Sequence, residues 1–177
     1  MKEIEKKYLL RENNIEFATK NLAMIASSVG ELEEKVLKSG EYISQGYLLL
    51  EEGINIYVLL NNSKLEFEPK EARLRRKAGK YTFTLKGDGS LERDEFEAEI
   101  PISMFEKYWE LTKRKRVEKA RLKEEYDGNT AEIDVYTDRD LIIAEIEVDS
   151  IEKANALKPL GKDVTEDKKY KNKNLAK

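Results

Sequence analysis

Apolar and charged side chains alternate with a period of two along most of this chain, and the alternation keeps its sense from one segment to the next. Successive side chains of a strand point to opposite faces. On that pattern residues 2–10, 42–51, 54–60, 64–68, 72–77, 81–86, 92–100, 117–126, 132–137 and 141–149 read as strands. Asn61-Asn62, Gly79, Gly87-Asp88-Gly89 and Asp127-Gly128-Asn129 supply turns between them. Helical spacing is confined to a few stretches. Ser28-Val29-Gly30-Glu31 has capping-box spacing and leads into 32–38, with Gly40 as the stop. Pro101 opens 102–112, where Met104, Phe105, Tyr108, Trp109 and Leu111 form a broad apolar stripe. Residues 14–26 and 151–157 read as further helical turns, and a polar segment, 164–177, ends the chain.

Sorting each strand by parity collects the charges on one face. Glu3, Glu5 and Lys7 share it with Arg73 and Arg75, Thr84 and Lys86, and Arg93, Glu95 and Glu97. Lys119 and Arg121, Glu132 and Asp134, and Glu145 and Glu147 continue it. The other parity is apolar, as in Leu74, Phe83, Leu85, Ala120, Ile133 and Ile146. A single antiparallel sheet with one wet face would also alternate. The grouping argues for more, because whole strands are purely basic or purely acidic on the charged face. Like charges two residues apart persist when something of opposite sign sits between them. Carboxylate pairs take cations, and basic pairs take an anion with several oxygens. The expected fold is therefore α+β, mainly β: a closed eight-stranded antiparallel barrel with a charged lumen and helices packed outside. No linker or repeat interrupts residues 1–177, which read as one domain. The 164–177 segment either plugs one end of the tunnel or packs outside the barrel.

Composition narrows the chemistry. Charged residues make up 39% of the chain, yet the net charge is only −3, which argues against nucleic-acid and membrane surfaces as partners. There is no Cys and no His, so thiolate and imidazole chemistry are absent and any metal is a hard cation on carboxylates, Mg²⁺ or Mn²⁺. No apolar run is long enough to span a membrane, and no leader pattern opens the chain, so a cytoplasmic protein is expected.

The ordered motifs resemble the CYTH domain, or triphosphate tunnel metalloenzyme family. Its N-terminal Glu-x-Glu-x-Lys is matched by Glu3, Glu5 and Lys7, and its Arg-x-Arg strand by Arg73 and Arg75. Thr84-Leu85-Lys86-Gly87, Arg93-Asp94-Glu95-Phe96-Glu97, Lys119-Ala120-Arg121 and Glu145-Ile146-Glu147 match the later strands in order. The tail from Leu160 through Thr165 to Tyr170, Asn172 and Ala176 is similar to bacterial members. Leu122 departs from the pattern, standing where many members have Tyr, and the stretch 51–71 reads as an added hairpin.

The resemblance implies that Glu3, Glu5, Glu145 and Glu147 hold one or two Mg²⁺ or Mn²⁺ ions. It implies that Lys7, Arg73, Arg75, Lys86, Arg93, Lys119 and Arg121 clamp the phosphates of a small anionic substrate. Glu95, Glu132 and Asp134 remain alternative proton acceptors, with Lys7 beside the reacting phosphate. These seven cations and the eight carboxylates of the charged face leave the lumen near −1, suited to two divalent cations and a triphosphate of roughly four to five negative charges. The implied activity is hydrolysis of inorganic triphosphate to phosphate and diphosphate. Thiamine triphosphatase, nucleoside or RNA triphosphatase, class IV adenylate cyclase and a non-catalytic polyphosphate-binding module are the alternatives.

Overall fold

Eight long strands pair in the order β1-β6-β5-β4-β3-β7-β8-β9, and β9 returns to pair with β1. They are β1 (Lys2–Glu12), β3 (Glu41–Leu48), β4 (Glu71–Lys77), β5 (Lys80–Lys86), β6 (Glu92–Glu99), β7 (Arg116–Tyr126), β8 (Asn129–Tyr136) and β9 (Leu141–Val148). Two-residue strands β2 (Ile15–Glu16) and β10 (Lys162–Asp163) pair with β1 outside this circuit. The computed structural model describes residues 2–177. All these pairings are antiparallel, so the expected closed eight-stranded barrel is what the chain forms.

The apolar parity faces outward and is covered by helices. α1 (Val29–Ser39) starts where Ser28 Oγ accepts from the Glu31 amide at 3.1 Å, and it buries Leu32 and Val36 against Ala120, Ile133 and Val135. Burying two such side chains contributes about 1.5–3 kcal/mol each. α2 (Leu50–Asn61) and α3 (Ile102–Trp109) cover β4, β5 and β6, with Ile56 and Phe105 among Leu74, Phe83 and Leu85. α3 runs on into a 3₁₀ turn, Glu110–Thr112. A short α4 (Ile151–Ala156) follows β9 and buries Ala154.

The reading of 54–60 as a strand is overturned. The run Ile54–Leu60 alternates only loosely, and the buried positions of α2, which contains it, are Gly53, Ile56 and Tyr57, at helical spacing. Glu52 accepts from the Leu49 amide at 3.3 Å at the start of this helix. A Cβ on Gly53 would stand 2.4 Å from the Ala72 Cβ, so the missing side chain lets α2 lie flat on β4. Residues 64–68 form no strand either, and 51–71 holds this helix and an irregular return in place of a hairpin. Between residues 14 and 26 the regular structure is β2 and one 3₁₀ turn, Lys20–Met24, capped by Thr19.

Candidate active site

Because the apolar parity faces out, the charged parity faces in. The lumen, a cavity of about 210 Å³, is lined by Glu3, Glu5 and Lys7 of β1, Arg73 and Arg75 of β4, and Lys86 of β5. Arg93, Glu95 and Glu97 of β6, Lys119 and Arg121 of β7, Glu132 of β8, and Glu145 and Glu147 of β9 complete the expected set. Of the predicted site residues only Asp134 lies off the lining. Tyr47, Glu71, Lys77, Lys123 and Asn172 also reach the cavity and were not anticipated. Strand parity alone could have found three of them: Glu71 and Lys77 extend the Arg73/Arg75 face at its two ends, and Lys123 extends Lys119/Arg121. Tyr47 lies on β3, whose inward parity (Glu41, Ile43, Gln45, Tyr47) carries a charge only at its first residue, and Asn172 comes from outside the barrel strands.

Nine cationic and eight anionic side chains therefore face the cavity, and Asp134 behind them makes the charges equal. The lumen is balanced, which replaces the value of −1 drawn from the sequence.

Pairing within the lining is selective. Glu3 accepts from Lys86 Nζ at 2.9 Å and Arg93 Nε at 3.4 Å. Burial pushes its carboxyl up, but Lys86, then Arg93, outweigh this and hold it below the usual value. Glu71, opposite Lys86 in the ladder, takes Arg93 Nη1 at 3.4 Å. Arg73 donates to Thr84 Oγ1 at 3.2 Å and to Glu97 at 3.4 Å, while its buried Nε has no hydrogen-bond partner among the described residues. Arg75 is pulled down to about 10 by burial and by Arg73. This basic wall has donors to spare for an anion.

The β1/β9 wall has the opposite surplus. Glu5 stands across from Glu147 in the ladder, and Lys7 across from Glu145. Burial, then the Glu145 and Glu3 carboxylates, push Glu5 well above the usual carboxylate value. Burial, then Glu3, Glu95 and Glu132, also raise Glu147. Glu145 is held well below the usual value, since Lys7, Arg121 and Lys119 overcome its burial. Its Oε1 is nonetheless buried without a hydrogen-bond partner, the Arg121 guanidinium standing 3.7 Å away. Four hard oxygen donor groups, two of them short of positive charge, suit a hard divalent cation. Among the described residues, no three carboxylates already converge as a formed metal site.

Asp134 corrects an expectation. Its carboxylate is fully buried and is engaged by Lys119 Nζ at 2.7 Å, Arg121 Nε at 2.6 Å and Arg121 Nη2 at 2.8 Å. Both of its oxygens are engaged by cations and it does not line the lumen, so it holds these two side chains in place.

One end of the barrel is closed. There the inward residues are Leu9, Val117, Tyr136 and Ile143, which cluster with Val164, Tyr170 and Leu175. Residues 164–177 cross this end as a 3₁₀ turn, Lys168–Tyr170, and α5 (Asn172–Leu175). The Val164 amide donates to the Lys7 carbonyl at 2.9 Å, and Lys7 Nζ donates to the Tyr170 carbonyl at 3.0 Å. Lys171 Nζ reaches the Gly89 carbonyl at 2.9 Å, and Arg116 and Lys177 exchange two backbone bonds of 3.0 Å. The lumen is a blind pocket entered from the side of Glu132, Lys123 and Lys77.

Comparison with known proteins fits this geometry. No family model matches the chain. It is 34% identical over 154 residues to an inorganic triphosphatase of Acetivibrio thermocellus, an alignment covering 83% of this chain and 93% of that one. The chain belongs to the inorganic triphosphatase family. A second relative, the inorganic triphosphatase of Nitrosomonas europaea, is 42% identical over 112 residues, 60% of this chain and 74% of the relative. The crystal structure of the inorganic triphosphatase NE1496 aligns with 98% of this chain and 93% of its own, at 30% identity and a TM-score of 0.55. A putative adenylate cyclase from Bacillus halodurans, 14% identical with a TM-score of 0.51 over 88% of this chain and 86% of its own, shares the fold. No helix among the described residues is long and apolar enough to cross a membrane.

Proposed function

We propose that this protein is a CYTH-type triphosphate tunnel metalloenzyme that hydrolyses inorganic triphosphate to phosphate and diphosphate. The observation that carries this reading is the blind cavity with balanced charges, one wall short of anions and the other short of cations. A cavity of about 210 Å³ is smaller than the roughly 300–1,000 Å³ of pockets that enclose drug-sized molecules. Its one lining ring, Tyr47, is buried, so no exposed aromatic face offers a stack for a nucleobase or thiamine. That favours the bare triphosphate over its organic esters.

Arg73, Arg75, Lys86, Arg93, Lys119 and Arg121 bind the phosphate oxygens, the guanidinium groups by paired donors. Lys7, steadied by the Tyr170 carbonyl, presents its remaining ammonium donors to the reacting phosphate. Glu3, Glu5, Glu145 and Glu147 would hold Mg²⁺ or Mn²⁺, whose chemistry when bound is to acidify a water and offset phosphate charge. Glu132, paired with Glu145 in the ladder and lining the lumen, is assigned as proton acceptor. Positioning and charge neutralisation supply most of the rate in phosphoryl transfer. A balanced lining with two divalent cations and a substrate of roughly four to five negative charges is almost neutral, as burial of so many charges requires.

The test is phosphate release from tripolyphosphate, ATP and thiamine triphosphate, with Mg²⁺, with Mn²⁺ and with chelator. Release from tripolyphosphate, dependent on the cation and well above the other two, is expected. Equal turnover of all three would overturn the substrate assignment.

A further inference from the structure

We infer that Asn172 is a substrate-binding residue at the floor of the lumen, where its side-chain amide donates to the innermost phosphate and so sets how deep a triphosphate enters. This rests on the proposed triphosphatase reading and adds a residue to it. Asn172 opens α5, in the segment that crosses the closed end, yet it lines the same cavity as the barrel cations. The Tyr136 hydroxyl donates to Asn172 Oδ1, its one side-chain hydrogen bond among the described residues. With the oxygen committed, the amide nitrogen and its two hydrogens are left to donate. Below it lie the apolar Leu9, Val117 and Ile143, and the one polar neighbour of Val117 in the ladder, Gln45, is buried with its amide nitrogen donating to the Tyr47 hydroxyl at 2.9 Å.

A neutral donor on a floor of this kind does what another lysine there could not. It ends the row of cations, so an anion sliding inward meets one last hydrogen bond and then an apolar wall. The inner end of the substrate stops at Asn172, and the scissile bond is thereby brought level with Lys7 and the β1/β9 carboxylates. Tyr136 is a positioning residue in this arrangement, acting only through the amide.

The experiment compares wild type, Asn172→Ala, Asn172→Asp and Tyr136→Phe on diphosphate, tripolyphosphate and tetrapolyphosphate with Mg²⁺. It also measures the rise in melting temperature that tripolyphosphate gives each protein in chelator. Loss of one hydrogen bond to an anion predicts a KM for tripolyphosphate about tenfold higher in Asn172→Ala, with kcat changed much less. Asn172→Asp, which puts an acceptor and a charge against the phosphate, raises KM further. Tyr136→Phe falls between wild type and Asn172→Ala. The substrate-induced melting shift shrinks in the same order, and the preference for tripolyphosphate over tetrapolyphosphate narrows. Wild-type kinetics and ligand shift in Asn172→Ala would overturn the inference, as would parallel losses of kcat and of ligand-free melting temperature with KM unchanged. A wild type inactive on tripolyphosphate would instead remove the reading on which the inference rests.

Discussion

Asp134 grips Arg121 with both oxygens, Nε to Oδ1 at 2.6 Å and Nη2 to Oδ2 at 2.8 Å, and the same carboxylate takes Lys119 Nζ at 2.7 Å. One buried anion thus holds two of the cations that face the lumen. Burial, together with Arg121, draws Lys119 down to about 8 despite this contact.

Asp134→Asn takes from two buried cations their nearest counter-charge, leaving Arg121 only Glu132 at 3.2 Å and Glu145 at 3.7 Å. Breaking a buried pair in this way costs about 3–5 kcal/mol. At ~2–4 °C per kcal/mol for a chain of this size, a fall in melting temperature of roughly 10 °C is expected by calorimetry, with a raised KM in whatever enzyme remains folded. An unchanged melting temperature would contradict the positioning role.

Glu71 links stability to pH. Burial raises its carboxyl, and Arg93, Lys86 and Arg73 more than reverse this, so its pKa in the fold lies below 4.5. As pH falls the unfolded chain takes up the proton first. The stabilisation from Glu71 is therefore full above about 4.5 and is lost as pH drops through the folded value. Denaturant unfolding of wild type and Glu71→Gln should differ by about 1–3 kcal/mol at neutral pH. That gap should close as the pH is lowered from about 5. A gap that widened in acid would reverse the assigned sign.

Gly53→Ala tests the seat of α2. Helix propensity alone favours Ala by about 1 kcal/mol. The new methyl, however, would meet the Ala72 Cβ at 2.4 Å, and forcing extra volume into a packed contact costs about 1–3 kcal/mol. Thermal denaturation should show a net loss of stability, and a gain would mean that α2 moves off β4 without penalty.

The lumen was legible in the sequence because barrel closure turns strand parity directly into inside and outside. Glu3, Glu5, Arg73, Lys119 and Glu147 needed only the period of two and the assumption that the sheet closes. α2 was hidden for a physical reason. A short apolar run such as Ile54–Leu60 buries well in either a strand or a helix, and the deciding contact, Gly53 on Ala72, joins residues of two different elements. Asn172 and Tyr47 were missed because no charge marks them. Asp134 was found by parity but given the wrong task, since parity places a side chain on the inner face without saying that Lys119 and Arg121 close over it.

Lys123, exposed at the open end, and Arg75, deeper inside, should separate steering from binding. Lys123→Ala is expected to lower kcat/KM a few-fold at low salt and to approach wild type near 1 M salt, where the screening length is about 3 Å. Arg75→Ala removes a charge-assisted phosphate contact and should cost tenfold or more at either ionic strength. Equal salt dependence in the two variants would contradict this division of the cations.

Phosphate released from tripolyphosphate with Mg²⁺, by wild type and Glu5→Gln side by side, tests the central claim most directly. Wild type should yield one phosphate and one diphosphate per substrate. Glu5→Gln, folded and with an unchanged melting temperature or a higher one in chelator, should lose at least a hundredfold in rate, about 2.7 kcal/mol of barrier. An inert wild type, or a Glu5→Gln enzyme as fast as wild type, would contradict the account.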